Sequence, residues 1–563
     1  METQDYDVIT SFLGDWGPFQ RTVFFLLSCS TIPNGYVGLS MVFLADTPSH
    51  YCRVPTGNGS GSTLNQSLIP SVAVNGTLTL SRCTRFKWRR DGQVNETEEC
   101  LQGWEYSKER YISTIVTEWD LVCKEDWKVP FTTSVFFFGV LTGSFVSGQF
   151  SDRYGRKKIL FITMALQTIF SLLQVISVTW EMFCVLFFFV GLGQISNYVS
   201  AFVLGNEIFS KSTRIAYSTL GICVFYSLGY VVLPLFAYFI RDWRMLLLAI
   251  SLPGILYIPL WWFIPESPRW LLSQGRMHEA EEILRAAARK NGVTPPEVIF
   301  NQEESLELMN RNIKKRKHLY TYFDLIRTTN IRNLTILNCL IWMMITIGYF
   351  GISLNTSNMS GDPYINCFIS AVTEVVAYTA AWVILRYVSR RIALSLPLLL
   401  SGSMLLLIQF IPDEYQVLSI ILAMTGKFGV TVAFSVVYVY SAELFPTVVR
   451  NMGMGAASMS SRIGGIISPY FAYIGTYNKI LPYILMGGIT MAIGILSLLL
   501  PETQAVTLPE KMEDVQQLHC ILWTLKQNLQ VLEKKHKNKT LQVQQSNDPG
   551  LMSVALQLNS MTK

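Results

Sequence analysis

The chain has 563 residues, half of them apolar and only 15% charged, with a formal net charge of +6. A soluble domain usually carries about 25% charged residues, and here the apolar residues form long unbroken blocks instead of periodic faces, which excludes a large soluble protein. The basic residues lie in short clusters between those blocks with no folded soluble module beside them, which also excludes nucleic acid as a partner.

In chain order, residues 1–20 are polar and acidic, without the basic region or small-residue cleavage site of a signal peptide. The first apolar block is therefore expected to insert as a signal anchor, leaving a cytoplasmic N-terminus. Spans are predicted at 21–44, 130–150, 158–179, 182–205, 216–240 and 245–264, then at 333–354, 364–388, 392–411, 417–441, 453–475 and 481–501. This order implies an all-α membrane protein of twelve transmembrane helices. It divides into a six-helix half over 21–265, a linker over 266–332, a second half over 333–501 and a tail over 502–563. Two six-helix halves around a central solute site describe the major facilitator fold. Clusters at Arg153, Arg156, Lys157 and Lys158, at Arg386, Arg390 and Arg391, and at Lys314 to Lys317 mark the cytoplasmic side.

The connection over 46–128 is the exception to short loops. It holds Cys52, Cys83, Cys100 and Cys123 and the acceptor triplets at Asn58, Asn65, Asn75 and Asn95, which together fit a glycosylated, oxidising outer face. Four cysteines allow three pairings, and the sequence does not choose among them. Loops beyond about 60 residues cross regardless of charge, so the basic character of this one does not offend the orientation rule. Cys29, Cys184, Cys223, Cys339, Cys367 and Cys520 lack metal-ligand spacing and read as packing residues. In the tail, Val515, Leu518, Leu522, Leu525 and Leu529 recur at helical spacing, which fits either an amphipathic helix or a solvated tail.

Between the second and third spans stands Gly148-Gln-Phe-Ser-Asp152-Arg153-Tyr-Gly155-Arg156-Lys157. Gly148 is expected to permit close helix approach, and Asp152 to accept from arginines in a cytoplasmic latch. Two further patterns recur across the halves. Glu207 precedes Arg214, and Glu443 precedes Arg450, by the same interval, while Pro265-Glu266-Ser-Pro-Arg269-Trp after the sixth span is echoed by Pro501-Glu502-Thr503 after the twelfth. Repetition at equivalent places reads as gating by paired charges.

The first of these loops resembles the signature loop of the major facilitator superfamily. Pro-Glu-Ser-Pro-Arg-Trp-Leu, Thr-Glu-Trp-Asp-Leu-Val-Cys123 and Glu-Leu-Phe-Pro-Thr-Val-Val-Arg-Asn resemble the organic cation/anion transporter family. Within it, Ile-Pro-Asn34-Gly, Gln194-Ile-Ser-Asn197-Tyr198 and Ala-Ser-Met-Ser-Ser-Arg462 resemble the organic cation/carnitine subgroup, over roughly residues 5–502. The resemblance implies a carrier and no enzyme. It also implies a small-molecule partner, carnitine or an organic cation, with arginine at 462 where cation-only relatives carry aspartate. Two departures stand out. Gly205-Asn-Glu-Ile-Phe-Ser210-Lys211-Ser212 lacks the second glycine of a phosphate loop and follows a membrane helix, so it gives no support to ATP-driven pumping. The terminal Lys563 replaces the apolar residue of a scaffold-domain ligand and puts that partner in doubt.

Charges inside spans cost about 2.5–3.5 kcal/mol each on insertion scales and are candidates for function. They are Glu374, Lys427 and Arg462. Tyr198, Tyr226, Tyr230, Trp342, Tyr349, Phe434 and Tyr438 offer aromatic faces to a quaternary ammonium, and Asn34, Gln194 and Asn197 offer polar contacts. Arg462 is expected to grip a carboxylate, unless it is a structural partner of Glu374. The reading is thus a carrier of carnitine or small organic cations by alternating access, as a symporter or uniporter. The alternatives are an organic-anion carrier and a non-transporting receptor or scaffold. No nucleophile–base pair or metal cluster stands at usable spacing. No cofactor is expected beyond a sodium ion as a candidate co-substrate, for which Asn34 and Asn197 are polar ligands. The plasma membrane and an organelle membrane such as the peroxisomal one both suit these span lengths.

Overall fold

The computed structural model describes residues 6–53, 69–74, 77–87, 96–300, 322–412, 414–446 and 448–504. Among them, ten helical stretches are long and apolar enough to cross a membrane. They are Pro18–Leu44, Cys123–Tyr154, Arg156–Val175, Trp180–Ile208, Ile222–Phe239 and Trp243–Trp262, then Thr329–Asn358, Pro363–Tyr387, Arg390–Phe410 and Gln416–Leu444. Two further helices, Arg450–Ile474 and Leu481–Ser497, complete the six-plus-six order. The first of these holds Arg462 amid glycine and serine, which lowers its hydropathy, and the second is short. The twelve are called spans 1 to 12.

Local chemistry sets where spans begin. Thr179 caps span 4 through the Met182 N–H, Asp242 caps span 6 through Met245, and Asp362 caps span 8 through Tyr364. Span 1 is broken into Pro18–Cys29, Ile32–Gly38 and Met41–Leu44, and Pro33 and Asn34 lie in its middle piece. There it meets span 5 backbone to backbone: a Cβ on Gly35 would lie 2.0 Å from the Tyr226 carbonyl oxygen, so only glycine fits. Span 5 is preceded by a helix at Lys211–Ala216 and a π-turn at Tyr217–Gly221.

The connection between spans 1 and 2 forms three two-stranded antiparallel ribbons, His50–Cys52 with Trp104–Tyr106, Ser71–Val74 with Thr77–Leu80, and Thr84–Phe86 with Thr97–Glu99. Cys52 bonds Cys100 and Cys83 bonds Cys123, which resolves the three open pairings. Disulfides form and persist in oxidising compartments, and the side of the molecule that carries this loop is called the outer side. Its four candidate glycosylation sites, Asn58, Asn65, Asn75 and Asn95, lie outside the described residues, as do Lys314 to Lys317 and the tail with Cys520 and Lys563. Of the other cysteines, Cys184 and Cys367 are buried, and Cys29, Cys223 and Cys339 are partly so.

On the inner side, the linker contributes a helix at Met277–Asn291. Its last residue, Asn291, accepts from the Phe19 N–H and donates to the Leu13 carbonyl and Gln20 Oε1, holding the N-terminal segment against the first half. The two halves touch at their outer ends. Ser134 of span 2 donates to the Ile466 carbonyl of span 11 at 2.8 Å, Phe137 meets Phe350 edge-on at 4.6 Å, and Phe43 of span 1 stacks on Tyr364 of span 8 at 5.3 Å. This is an arrangement closed toward the outside.

Candidate functional site

The three charges inside the spans do not form one cluster. Glu374 of span 8 and Lys427 of span 10 are each fully buried, with Lys427 Nζ 2.9 Å from Glu374 Oε1. The ammonium directs its hydrogen bonds elsewhere, to Ser353 Oγ at 3.0 Å and Ser370 Oγ at 2.5 Å, so that Oε1 is compensated by charge without an aligned hydrogen bond. The other carboxylate oxygen accepts from Ser227 of span 5 at 3.4 Å, and Tyr230 of span 5 shares a 3.0 Å hydrogen bond with Ser370. The pair is thereby joined to the opposite half.

Arg462 of span 11 stands apart from this pair and is partly buried. Its Nε is buried with no hydrogen-bond partner, and the Tyr438 hydroxyl is within bonding reach of the guanidinium. The alternative in which Glu374 neutralises Arg462 is corrected: Glu374 is taken by Lys427.

The expected aromatic cage divides in two. Tyr230 and Tyr349 are buried and face Lys427, whose ammonium lies 4.7 Å and 5.7 Å from their ring centres. They serve an internal cation, so the expectation of one cage open to a solute is corrected for these two. Tyr198, Tyr226, Phe434 and Tyr438 keep partly accessible faces. Tyr198 and Tyr226 meet edge-on at 6.4 Å, Phe434 and Tyr438 at 5.5 Å, and Phe434 also stacks on Tyr349 at 5.3 Å. Trp342 is buried behind them, edge-on to Tyr438 at 4.3 Å, with its Nε1 donating to Ser441.

Asn34, Gln194 and Asn197 converge where the broken span 1 meets span 4. Gln194 Nε2 donates to the Asn34 carbonyl at 2.6 Å, and Asn197 Nδ2 reaches Asn34 Oδ1 at 3.5 Å. Asn34 Nδ2, Asn197 Oδ1 and Ser200 Oγ remain buried without partners, a group of polar atoms able to take an ion or water.

The inner surface holds two copies of one device. In the first half, Arg156 pairs with Asp152 at 2.8 Å and Glu207 at 3.0 Å, while Glu266 Oε1 accepts the backbone N–H groups of Arg156 and Lys157 at 3.0 Å each. In the second, Arg390 pairs with Glu443 at 3.2 Å, and Glu502 accepts the N–H groups of Arg390 at 2.9 Å and Arg391 at 3.1 Å. In both halves a carboxylate from the end of one span sits on the N-terminus of another, where unpaired N–H groups and the helix dipole favour an anion. Burial pushes the Glu502 carboxyl up, but hydrogen bonds from Gln504, Arg391, Arg390 and Ser389 outweigh it and hold the group below its ordinary value.

Several sequence expectations are corrected here. Glu207 and Glu443 are engaged by Arg156 and Arg390, while Arg214 and Arg450 donate to the Phe209 and Phe445 carbonyls five residues upstream. Nothing lies within 4 Å of a Cβ on Gly148, so close helix approach is not its role in this arrangement. Gly155 is the demanding glycine, with φ +107° and a built Cβ 2.5 Å from Glu266 Oε2. Arg153 lies over Tyr154 and Arg269 over Tyr6, outside the cluster. Arg390, expected only as an orienting charge, is the second-half counterpart of Arg156, and Arg390-Arg391 follows span 8 as Arg156-Lys157 follows span 2. Lys427, Ser227 and Ser370 emerge as partners that only the fold brings together.

A family profile described as "Sugar (and other) transporter" matches residues 73–515. The mouse and human proteins named "Organic cation/carnitine transporter 2" are 56% and 54% identical to this chain over 91% of it and 94% of their own length. The mouse protein "Solute carrier family 22 member 4" is 55% identical over 92% of this chain and 95% of its own. Among solved structures, a D-xylose–proton symporter superposes with a TM-score of 0.58 at 12% identity, covering 87% of this chain and 99% of its own, which shows the shared fold. With two six-helix halves, a repeated inner charge cluster and these relatives, the chain is a multi-pass membrane transporter of the sugar (and other) transporter family, in its organic cation/carnitine branch.

Proposed function

We propose that the protein carries carnitine, and small organic cations more weakly, across the plasma membrane by alternating access. The observation that carries this reading is Arg462, a cation in the interior whose Nε has no hydrogen-bond partner among the described residues and whose candidate acid, Glu374, is committed to Lys427. A zwitterion satisfies both sides of the site. Its carboxylate meets the guanidinium through charge-assisted hydrogen bonds. Its trimethylammonium meets the accessible faces of Tyr198, Tyr226, Phe434 and Tyr438, where a desolvated cation gains up to about 2 kcal/mol. The relatives named as organic cation/carnitine transporters support the same substrate class.

Sodium is the proposed co-substrate, and the unpartnered Asn197 Oδ1 and Ser200 Oγ beside Asn34 support a site for it. We further propose that the disulfide-bonded loop faces the outside and bears glycans at Asn58, Asn65, Asn75 and Asn95.

The test is uptake of radiolabelled carnitine, tetraethylammonium and p-aminohippurate into proteoliposomes, with and without a sodium gradient. Carnitine uptake should exceed the other two. Arg462→Ala should lower it by about 10- to 100-fold, the worth of a hydrogen bond to a charged group, with a smaller effect on tetraethylammonium. Preference for p-aminohippurate would make the protein an organic-anion carrier, and absence of flux for every probe would make it a receptor or scaffold.

A further inference from the structure

Arg462 leaves one question unanswered: why a second, fully neutralised ion pair is buried so close to the aromatic cage. A buried pair is costly, and replacing it with apolar residues is often neutral or stabilising. Its position suggests a use. Lys427 occupies the faces of Tyr230 and Tyr349, the deepest aromatic rings of the site. Tyr349 stacks on Phe434, Phe434 meets Tyr438, and Tyr438 adjoins Arg462, so a continuous line of rings connects the pair to the arginine. Glu374 is the one carboxylate described within the interior of the spans, and Lys427 cancels it.

We propose that Lys427 is the specificity-determining residue of the site: by neutralising Glu374 and filling the inner part of the cage, it leaves Arg462 as the single uncompensated charge and thereby selects a solute with a carboxylate over a simple cation. This rests on the carrier reading above. Lys427 acts through Glu374 and the field at the cage, without touching the solute. In a low-dielectric interior a carboxylate one ring away attracts a bound cation strongly, so an uncancelled Glu374 would turn the same cage into a site for net cations. The three variants of the pair follow from charge alone. Loss of Lys427 exposes a negative charge, loss of Glu374 exposes a second positive one, and loss of both restores the balance set by Arg462.

The experiment measures the ratio of tetraethylammonium to carnitine uptake, corrected for surface abundance, with p-aminohippurate as an anionic probe. Lys427→Gln should raise the ratio by about tenfold or more, and Glu374→Gln should lower it by a similar factor while admitting the anion. The double variant Lys427→Gln/Glu374→Gln should return the ratio to within about threefold of the parent. If Lys427→Gln fails to reach the membrane, because it leaves a carboxylate buried alone, Glu374→Gln and the double variant still decide. An unchanged ratio in Glu374→Gln, or a double variant displaced as far as either single one, would overturn the assignment. Should the parent prove to prefer anions, the carnitine reading fails, yet opposite shifts in the two single variants would still identify Lys427 as the selecting residue.

Discussion

At the residue scale, the site is governed by which buried charges are paired. Lys427 and Glu374 neutralise one another, while Arg462 is left for a ligand. A different balance holds at the outer seam. Asp46, just beyond span 1, faces Arg110, the Tyr111 hydroxyl and the Thr47 N–H, which favour its ionised form, but burial outweighs them and pushes the carboxyl up to about 6. Tyr364 of the opposite half packs against Tyr111, with Arg241 and Asp362 near it. A folded-state value above the ordinary 3.8 means the closed form holds the proton more tightly. That stabilisation is complete below about pH 4 and is lost as the pH rises through about 6. Thermal denaturation of purified protein should therefore show Tm falling across that window, and Asp46→Asn should flatten the slope. A parent Tm independent of pH there would contradict this role.

At the scale of elements, the repeated inner clusters tie together the inner ends of spans 2, 3, 4 and 6 in the first half and of spans 9, 10 and 12 in the second. Glu266 and Glu502 cap the N-termini of spans 3 and 9, and Glu207 and Glu443 hold the first arginine of each. These contacts set how readily the inner ends move. Glu443→Gln should slow carnitine turnover by about 5- to 100-fold, the range of a typical coupling energy. Binding of labelled carnitine should remain measurable; complete loss of binding would rule out a gating role. The symmetry of this device was partly legible in sequence, because a Glu seven residues before an Arg, and a Pro-Glu pair, recur at matching places. The partners were not, since Arg156 and Glu207 are 51 residues apart and meet only through the packing of spans 3 and 4.

For the whole molecule, the two halves meet along spans 2 and 11 and spans 5 and 8, with direct contacts on the outer side. Transport requires those contacts to separate. A Cβ on Gly465 would lie 3.3 Å from Phe137 Cγ, so cysteines at these two positions come within bridging distance. Oxidation of a Phe137→Cys/Gly465→Cys protein should abolish uptake, and reduction should restore it, whereas Phe137→Cys alone should be insensitive to oxidant; Gly465→Cys alone is no control, because its Cβ would lie 2.9 Å from Phe137 Cδ1. Undiminished transport by the oxidised double variant would mean that the outer seam does not open along this line.

By itself the sequence determined the architecture, because a bilayer demands long apolar blocks and orients them by the charge of short loops, and both are local properties. It also singled out Glu374, Lys427 and Arg462, since a charge inside a span is conspicuous wherever it falls. It did not determine which of the three are partners, which rings Lys427 occupies, or how the four outer cysteines pair. Those depend on distances between segments tens to hundreds of residues apart, and only the tertiary packing of spans and loop decides them.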